Sequence, residues 1–269
     1  MNFTRKRFGQ HWLRCDNTLA QIVQAGELSS EDHILEIGPG KGVLTRRLLE
    51  QVEKLVAVEI DRDLCVKLAR GLNNRESFLL LEGDILSINL QERLKEFPSF
   101  YPLNKVIANI PYNITGPILE KLLGKIGQPN PNPYQSIVLL LQKEVAERIT
   151  AQPSSKAYGA LSVRVQYLAQ AQWICNVPSS AFYPPPKVES AVIKLSPRII
   201  ESPSINPKQL ETLLKLGFSS RRKMLRNNLK SLLDSTQIDQ LLKQLNLNPQ
   251  VRAEDLSLEK WINLSNLVN

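Results

Sequence analysis

The chain has 269 residues, 42% of them apolar and 22% charged, and a net charge of +8. That length holds one large domain, or one large and one small, with enough core to fold without disulfides or a structural metal. The composition excludes a wholly disordered chain, no apolar run nears the ~20 residues of a membrane span, and the basic excess suits a polyanionic partner.

Residues 1–14 carry Arg5, Lys6, Arg7 and Arg14, no acid, and no apolar stretch of the secretory kind. Apolar runs of strand length then recur at 33–37, 55–60, 78–81, 105–108, 136–141, 173–177 and 190–195. Between them lie stripes with helical spacing: Leu64, Leu68 and Leu72; Ile118, Leu119 and Leu122; Val145 and Ile149. Near-continuous apolar strands alternating with helices predict an α/β domain, a seven-stranded, mostly parallel sheet covered on both faces and doubly wound in the Rossmann manner. Ligands of such a sheet sit beyond the carboxyl ends of its strands.

From residue 201 the strand-like runs stop. Ser202-Pro203-Ser204-Ile205-Asn206-Pro207 reads as a linker, and Leu210, Leu213, Leu214, then Leu225, Leu229, Leu232 and Leu233, have helical spacing. The expected division is a domain over 1–200, including the basic segment 1–14, and a small all-helical domain over 201–269. Cys15, Cys65 and Cys175 form no CxxC, which fits a reducing, cytoplasmic setting. With only His11 and His33 beside them, no metal site is expected.

Three strand ends carry ligand-type residues. The first runs into Glu36-Ile37-Gly38-Pro39-Gly40-Lys41-Gly42, a turn whose glycines, Gly38 and Gly40 among them, admit close approach of a ligand beside a helix start. It is no phosphate loop, because Lys41 is followed by Gly42, and the dinucleotide fingerprint lacks its third glycine at Val43. The second strand ends in Glu59, about 20 residues after the turn, where an acid accepts from a ribose diol. The third ends in Glu82-Gly83-Asp84, and Asp84 can meet an exocyclic amine. A nucleoside ligand without a phosphate grip points to S-adenosylmethionine.

The fourth strand runs into Asn109-Ile110-Pro111-Tyr112. These residues resemble the signature of methyltransferases that act on planar amino groups. An adenine amine is a poor nucleophile because its lone pair is delocalised into the ring. Acceptors at the Asn109 side-chain oxygen and the Ile110 carbonyl would favour a pyramidal nitrogen. Pro111, with fixed φ and no N–H, would hold that carbonyl, and Tyr112 would stack on the base. Phe182, in Phe182-Tyr183-Pro184-Pro185-Pro186-Lys187-Val188, is the candidate for the base's other face, since chemistry on a base requires it outside the stack.

The chain as a whole resembles the ribosomal RNA adenine dimethyltransferases, in particular their small-subunit branch. The resemblance rests on Arg5-Lys6-Arg7-Phe8-Gly9-Gln10-His11-Trp12-Leu13, the glycine turn, Asn109-Ile110-Pro111-Tyr112-Asn113-Ile114, the triple-proline loop, and Arg221-Arg222-Lys223-Met224-Leu225-Arg226-Asn227-Asn228-Leu229. It implies dimethylation, from S-adenosylmethionine, of two adjacent adenosines in the 3′-terminal hairpin loop of 16S rRNA, on an immature small ribosomal subunit. By position it implies cofactor contacts at His11, Leu13, Gly38, Glu59, Asp84 and Asn109. His11 stands where the family often has Asn, and Gly116-Pro117 departs from its usual Ser-Thr-Pro. With a polyanion as substrate, Arg221, Arg222, Lys223, Arg226 and Lys230 become candidates for RNA backbone contact, Arg222, Arg226 and Lys230 sharing one predicted helix face. A monomer that binds no membrane is expected. Two rivals share the scaffold: an Erm-type 23S rRNA methyltransferase, which the Arg221–Leu229 segment and the proline loop disfavour, and a non-catalytic assembly factor, which the intact Asn109–Tyr112 motif disfavours.

Overall fold

The strands are β1 (Trp12–Leu13), β2 (His33–Ile37), β3 (Lys54–Glu59), β4 (Phe78–Glu82), β5 (Lys105–Asn109), β6 (Gly124–Lys125), β7 (Gln128–Pro129), β8 (Ser136–Gln142), β9 (Ala169–Val177), β10 (Phe182–Tyr183) and β11 (Ser190–Pro197). The structure, a computed structural model, describes residues 11–72 and 75–268; most of the basic N-terminal segment therefore lies outside the described residues.

One sheet takes seven strands in the order β4-β3-β2-β5-β8-β11-β9. Strands β4, β3, β2, β5 and β8 run parallel, and β11 runs antiparallel to β8, with Val192 opposite Leu140. The apolar runs are continuous because both faces are covered: Ile34, Leu35, Val56, Val106, Ile107, Leu139 and Leu140 are all buried. The chain leaves β2 for β3 on one side and returns to its other side at β5, so the switch of direction opens a crevice at the carboxyl ends of these strands. At the amino ends the buried Asp32 accepts from Lys105 Nζ at 2.8 Å, Asn104 Nδ2 at 2.7 Å and Ser29 N–H at 2.7 Å, pinning the start of β5 beside that of β2.

Two small ribbons have no counterpart in the sequence pattern. β1 pairs antiparallel with β10, and β6 with β7. Both are too short to show a period of two.

The chain divides into two compact units: Met1–Leu123, Asn130–Ala146 and Ala171–Pro197 in one, and Gly124–Pro129, Glu147–Gln170 and Arg198–Asn269 in the other. The second unit thus draws in two segments from before residue 201, and its packing shows why. The Tyr158 ring meets Phe218 edge-on at 6.3 Å, and Phe218 packs on the fully buried Trp261 at 5.4 Å. Arg164 pairs with Glu211 at 2.9 Å. This unit's helices are Ala160–Leu168, Pro207–Gly217, Leu225–Asn228, Ser235–Gln244 and Leu258–Leu267.

The helix expected through Leu225–Leu233 is a single turn, Leu225–Asn228. Asn228 turns its amide onto the carbonyls of Gly217 and Ser220, at 2.6 and 2.9 Å, and Asp234 with Gln237 forms a capping box that starts the next helix. Arg222 lies in the preceding turn, so Arg222, Arg226 and Lys230 do not share a helix face.

Candidate active site

The carboxyl ends of β2, β3 and β5, with the turn after β4, converge on one pocket. Its lining includes His11, Leu13, Glu36, Gly38, Gly40, Glu59, Asp84 and Asn109–Tyr112. Four separate stretches of sequence meet there because parallel strands place their carboxyl ends side by side.

The glycine turn is built from left-handed backbone. Gly38 has φ 67° and Gly40 φ 60°, values that side chains disfavour. At Gly40 a second constraint applies: a Cβ would lie 2.5 Å from Trp12 Cζ3. The β1 segment therefore packs directly on the turn. Glu59 ties the turn to β3. Its Oε2 accepts from Gly40 N–H at 3.1 Å and its Oε1 from Asp61 N–H at 2.9 Å, while burial pushes its carboxyl above the ordinary range. Asp84 accepts from Leu86 N–H at 2.9 Å, fixing the turn after β4.

Glu36, at the end of β2, is a further acid of the pocket, one to which the sequence pattern assigned no role. It is buried at 2% exposure, burial pushes its carboxyl up to about 8, and among the described residues its Oε2 has no hydrogen-bond partner. Its sequence signature is an acid two residues before Gly38, flanked by Leu35 and Ile37 in an apolar strand.

The Asn109 motif is shaped by its neighbours. Ile110 donates its N–H to Leu140 O at 3.1 Å, is buried, and lies in the pocket lining. Pro111 has φ −61° and ψ 131°, and Tyr112–Ile114 forms a 3-10 turn. The Tyr112 hydroxyl bonds the Ser190 hydroxyl at 2.5 Å; Ser190, at the start of β11, is fully buried. This partner is 78 positions away and gave no sequence signal. Among the described residues, no hydrogen bond engages the Asn109 side chain.

Phe182 is not brought to the pocket. It faces Leu13 across the β1–β10 pair, and both side chains enter the core with Leu19, Ile22 and Leu140. Strand alternation sends Phe182 inward and leaves Tyr183 outside. The ring that lies beside Tyr112 is that of His11, with centroids 6.1 Å apart and planes at 21°. His11 Nδ1 in turn lies 2.8 Å from Pro184 O.

The RNA-contact candidates differ in their surroundings. Arg221 pairs with Glu254 at 2.6 Å and Arg226 with Asp239 at 3.9 Å. Arg222, Lys223 and Lys230 are exposed.

Comparison with known proteins gives concordant results. The family profile for ribosomal RNA adenine dimethylase matches residues 1–269. The ribosomal RNA small subunit methyltransferase A of Rippkaea orientalis is 64% identical over 264 residues, covering 98% of this chain and 97% of that protein. A dimethyladenosine transferase from Plasmodium falciparum superposes with a TM-score of 0.78 at 27% identity, over 94% of this chain and 96% of that one. The 23S rRNA methyltransferase ErmE superposes at 0.72 and 22% identity, over 96% and 99%, a likeness of fold. The fold is that of the Rossmann-like methyltransferases. The chain belongs to the ribosomal RNA adenine dimethylase family, and it is an rRNA adenine dimethyltransferase.

Proposed function

We propose that the chain uses S-adenosylmethionine to dimethylate the exocyclic amines of two adjacent adenosines in the 3′-terminal hairpin loop of 16S rRNA, on an immature small ribosomal subunit. The observation that carries this reading is the junction of Asn109–Tyr112 with the glycine turn, Glu59 and Asp84 around one pocket. The pocket suits a nucleoside carrying a cationic group. Gly38 puts no side chain into the pocket, Glu59 and Asp84 stand with acceptor oxygens at successive strand ends, and among the described residues the Oε2 of Glu36 has no hydrogen-bond partner. Those residues, with His11 and Leu13, would hold the cofactor. When bound, it supplies a methyl group already activated on a sulfonium.

The chain's own part is positional. Asn109 Oδ1 and the Ile110 carbonyl accept the two hydrogens of the adenine amine, which turns its lone pair out of conjugation. Pro111 holds that carbonyl through its fixed φ. Tyr112 stacks on the base, and its bond to Ser190 sets the ring plane. Arg222, Lys223 and Lys230, joined by Arg221 and Arg226, contact RNA phosphates, which orient the substrate without reading its sequence.

The test is transfer of labelled methyl to small subunits lacking the modification, with large subunits as control and the RNA digested to nucleosides. Dimethyladenosine from the small subunit alone is expected, and label in 23S rRNA would overturn the substrate. Asn109→Ala should lower turnover by about 100-fold or more, by analogy with loss of one preorganised transition-state hydrogen bond, while the variant stays folded and still binds cofactor. Turnover near wild type would reject the role given to Asn109.

A further inference from the structure

The β1–β10 ribbon does more than wall the pocket. Trp12 lies opposite Tyr183 and Leu13 opposite Phe182. Opposite residues share a face and successive ones alternate. Leu13 and Phe182 go inward, while Trp12 and Tyr183 form the outer face, where Tyr183 is 51% exposed. Arg14, two residues beyond Trp12, holds its guanidinium carbon 4.1 Å from the centre of the Tyr183 ring. Lys41, from the glycine turn, holds Nζ 5.1 Å from the centre of the Trp12 ring. Among the described residues, these two cations rest on aromatic rings rather than on carboxylates. The acid nearest to Arg14 in sequence, Asp16, is taken by Arg47 at 2.5 Å.

The charges also press on one another. Lys41 gives up its proton more readily than a free lysine, first through partial burial and then through repulsion from Arg14 and Lys67. Like charges gathered in this way are relieved when an anion arrives. Trp12 and Lys41 line the pocket as well, so the patch begins at its rim and continues outward along the ribbon.

We propose that the outer face of this ribbon, formed by Trp12, Arg14, Lys41 and Tyr183, is a subsite for single-stranded RNA that takes the base and phosphate of a nucleotide neighbouring the one in the pocket. The inference rests on the rRNA-methylating function proposed above. Aromatic faces paired with cations are what unpaired nucleotides bind, whatever their sequence, because every base has a face to stack and a phosphate to neutralise. The ribbon acts on substrate residence, not on the methyl step.

Arg14→Ala and Tyr183→Ala test this, since both side chains are exposed and lie outside the core. Methyl transfer to small subunits lacking the modification is followed over a salt series, and S-adenosylmethionine affinity by calorimetry. Each variant should raise KM about tenfold, with kcat and cofactor affinity within about twofold of wild type. Arg14→Ala should also flatten the salt dependence by about 0.7 in log–log slope, one phosphate contact on a single strand. Arg14→Lys, which keeps the charge, should restore that slope. Intact wild-type transfer with an unchanged KM and slope in Arg14→Ala overturns the subsite. A loss of cofactor affinity matching the rise in KM overturns it too, because the ribbon would then serve the cofactor alone. If the wild-type protein labels no RNA, the functional reading fails instead. Binding of a fluorescent single-stranded RNA then decides the subsite separately: weaker binding by Arg14→Ala upholds it, and equal binding overturns it.

Discussion

Glu36 is a carboxyl group folded into an apolar strand, with one oxygen unpartnered among the described residues, and its protonation links stability to function. In an unfolded chain a glutamate has lost its proton above about pH 4.3. Folded and ligand-free, Glu36 keeps its proton up to about 8, because burial penalises the charge. The folded state therefore binds one more proton across that window, and stability from this residue falls as pH rises through it, at up to about 1.4 kcal/mol per pH unit. Glu36→Gln should raise the melting temperature of the ligand-free protein more at pH 8 than at pH 5, while weakening S-adenosylmethionine binding by calorimetry. An equal gain at both pH values would show that Glu36 carries no such penalty. A side chain retained at a cost to the free protein is one whose value lies with a ligand.

At the scale of elements, the two ends of the sheet have different tasks. The carboxyl ends carry the pocket, and the amino ends carry the Asp32–Lys105–Asn104 pin. Burial raises the Asp32 carboxyl, but hydrogen bonds from Lys105, Ser29 and Asn104 outweigh it and leave it below the usual carboxylate range. Its contribution is thus present above about pH 4 and is lost as pH falls through the lower folded value. Asp32→Asn should cost on the order of 3 kcal/mol at neutral pH, because the buried Lys105 loses its counter-charge, and should blunt acid unfolding in pH-dependent melts. The sheet itself was legible in the sequence, since buried parallel strands are unbroken apolar runs and Glu59, Asp84 and Asn109 sit where those runs end. What escaped had no local period. The β1–β10 ribbon spans two residues a side, so nothing in the proline loop told that Phe182 turns inward. The leucines of Leu225–Leu233 keep helical spacing although Asn228 and the Asp234 cap redirect the backbone, for spacing reports which side is buried and not which carbonyls are paired. The bond from Tyr112 to Ser190 joins residues that only the fold brings together.

For the whole molecule, a charge of +8 has meaning through where its cations are committed. Arg221 and Arg226 are engaged by Glu254 and Asp239, whereas Arg222 and Lys223 are exposed. Reversing both of the latter, Arg222→Glu with Lys223→Glu, should weaken association with the small subunit by about tenfold or more and reduce its salt dependence, with cofactor affinity unchanged. Arg221→Glu should in addition lower the melting temperature, since it sets like charge against Glu254. An unchanged KM in the double variant would remove this segment from the RNA contacts. The β1–β10 ribbon has a last consequence, one of timing. His11 and Pro184, which it brings together, are 173 positions apart. Chains are made from the amino terminus onward. A nascent polypeptide therefore holds the glycine turn, Glu59, Asp84 and Asn109 well before the strand that anchors residues 11–14 has been synthesised. The wall that leaves the ribosome first is completed last, and a half-made enzyme lacks the ribbon that borders its own reactive centre.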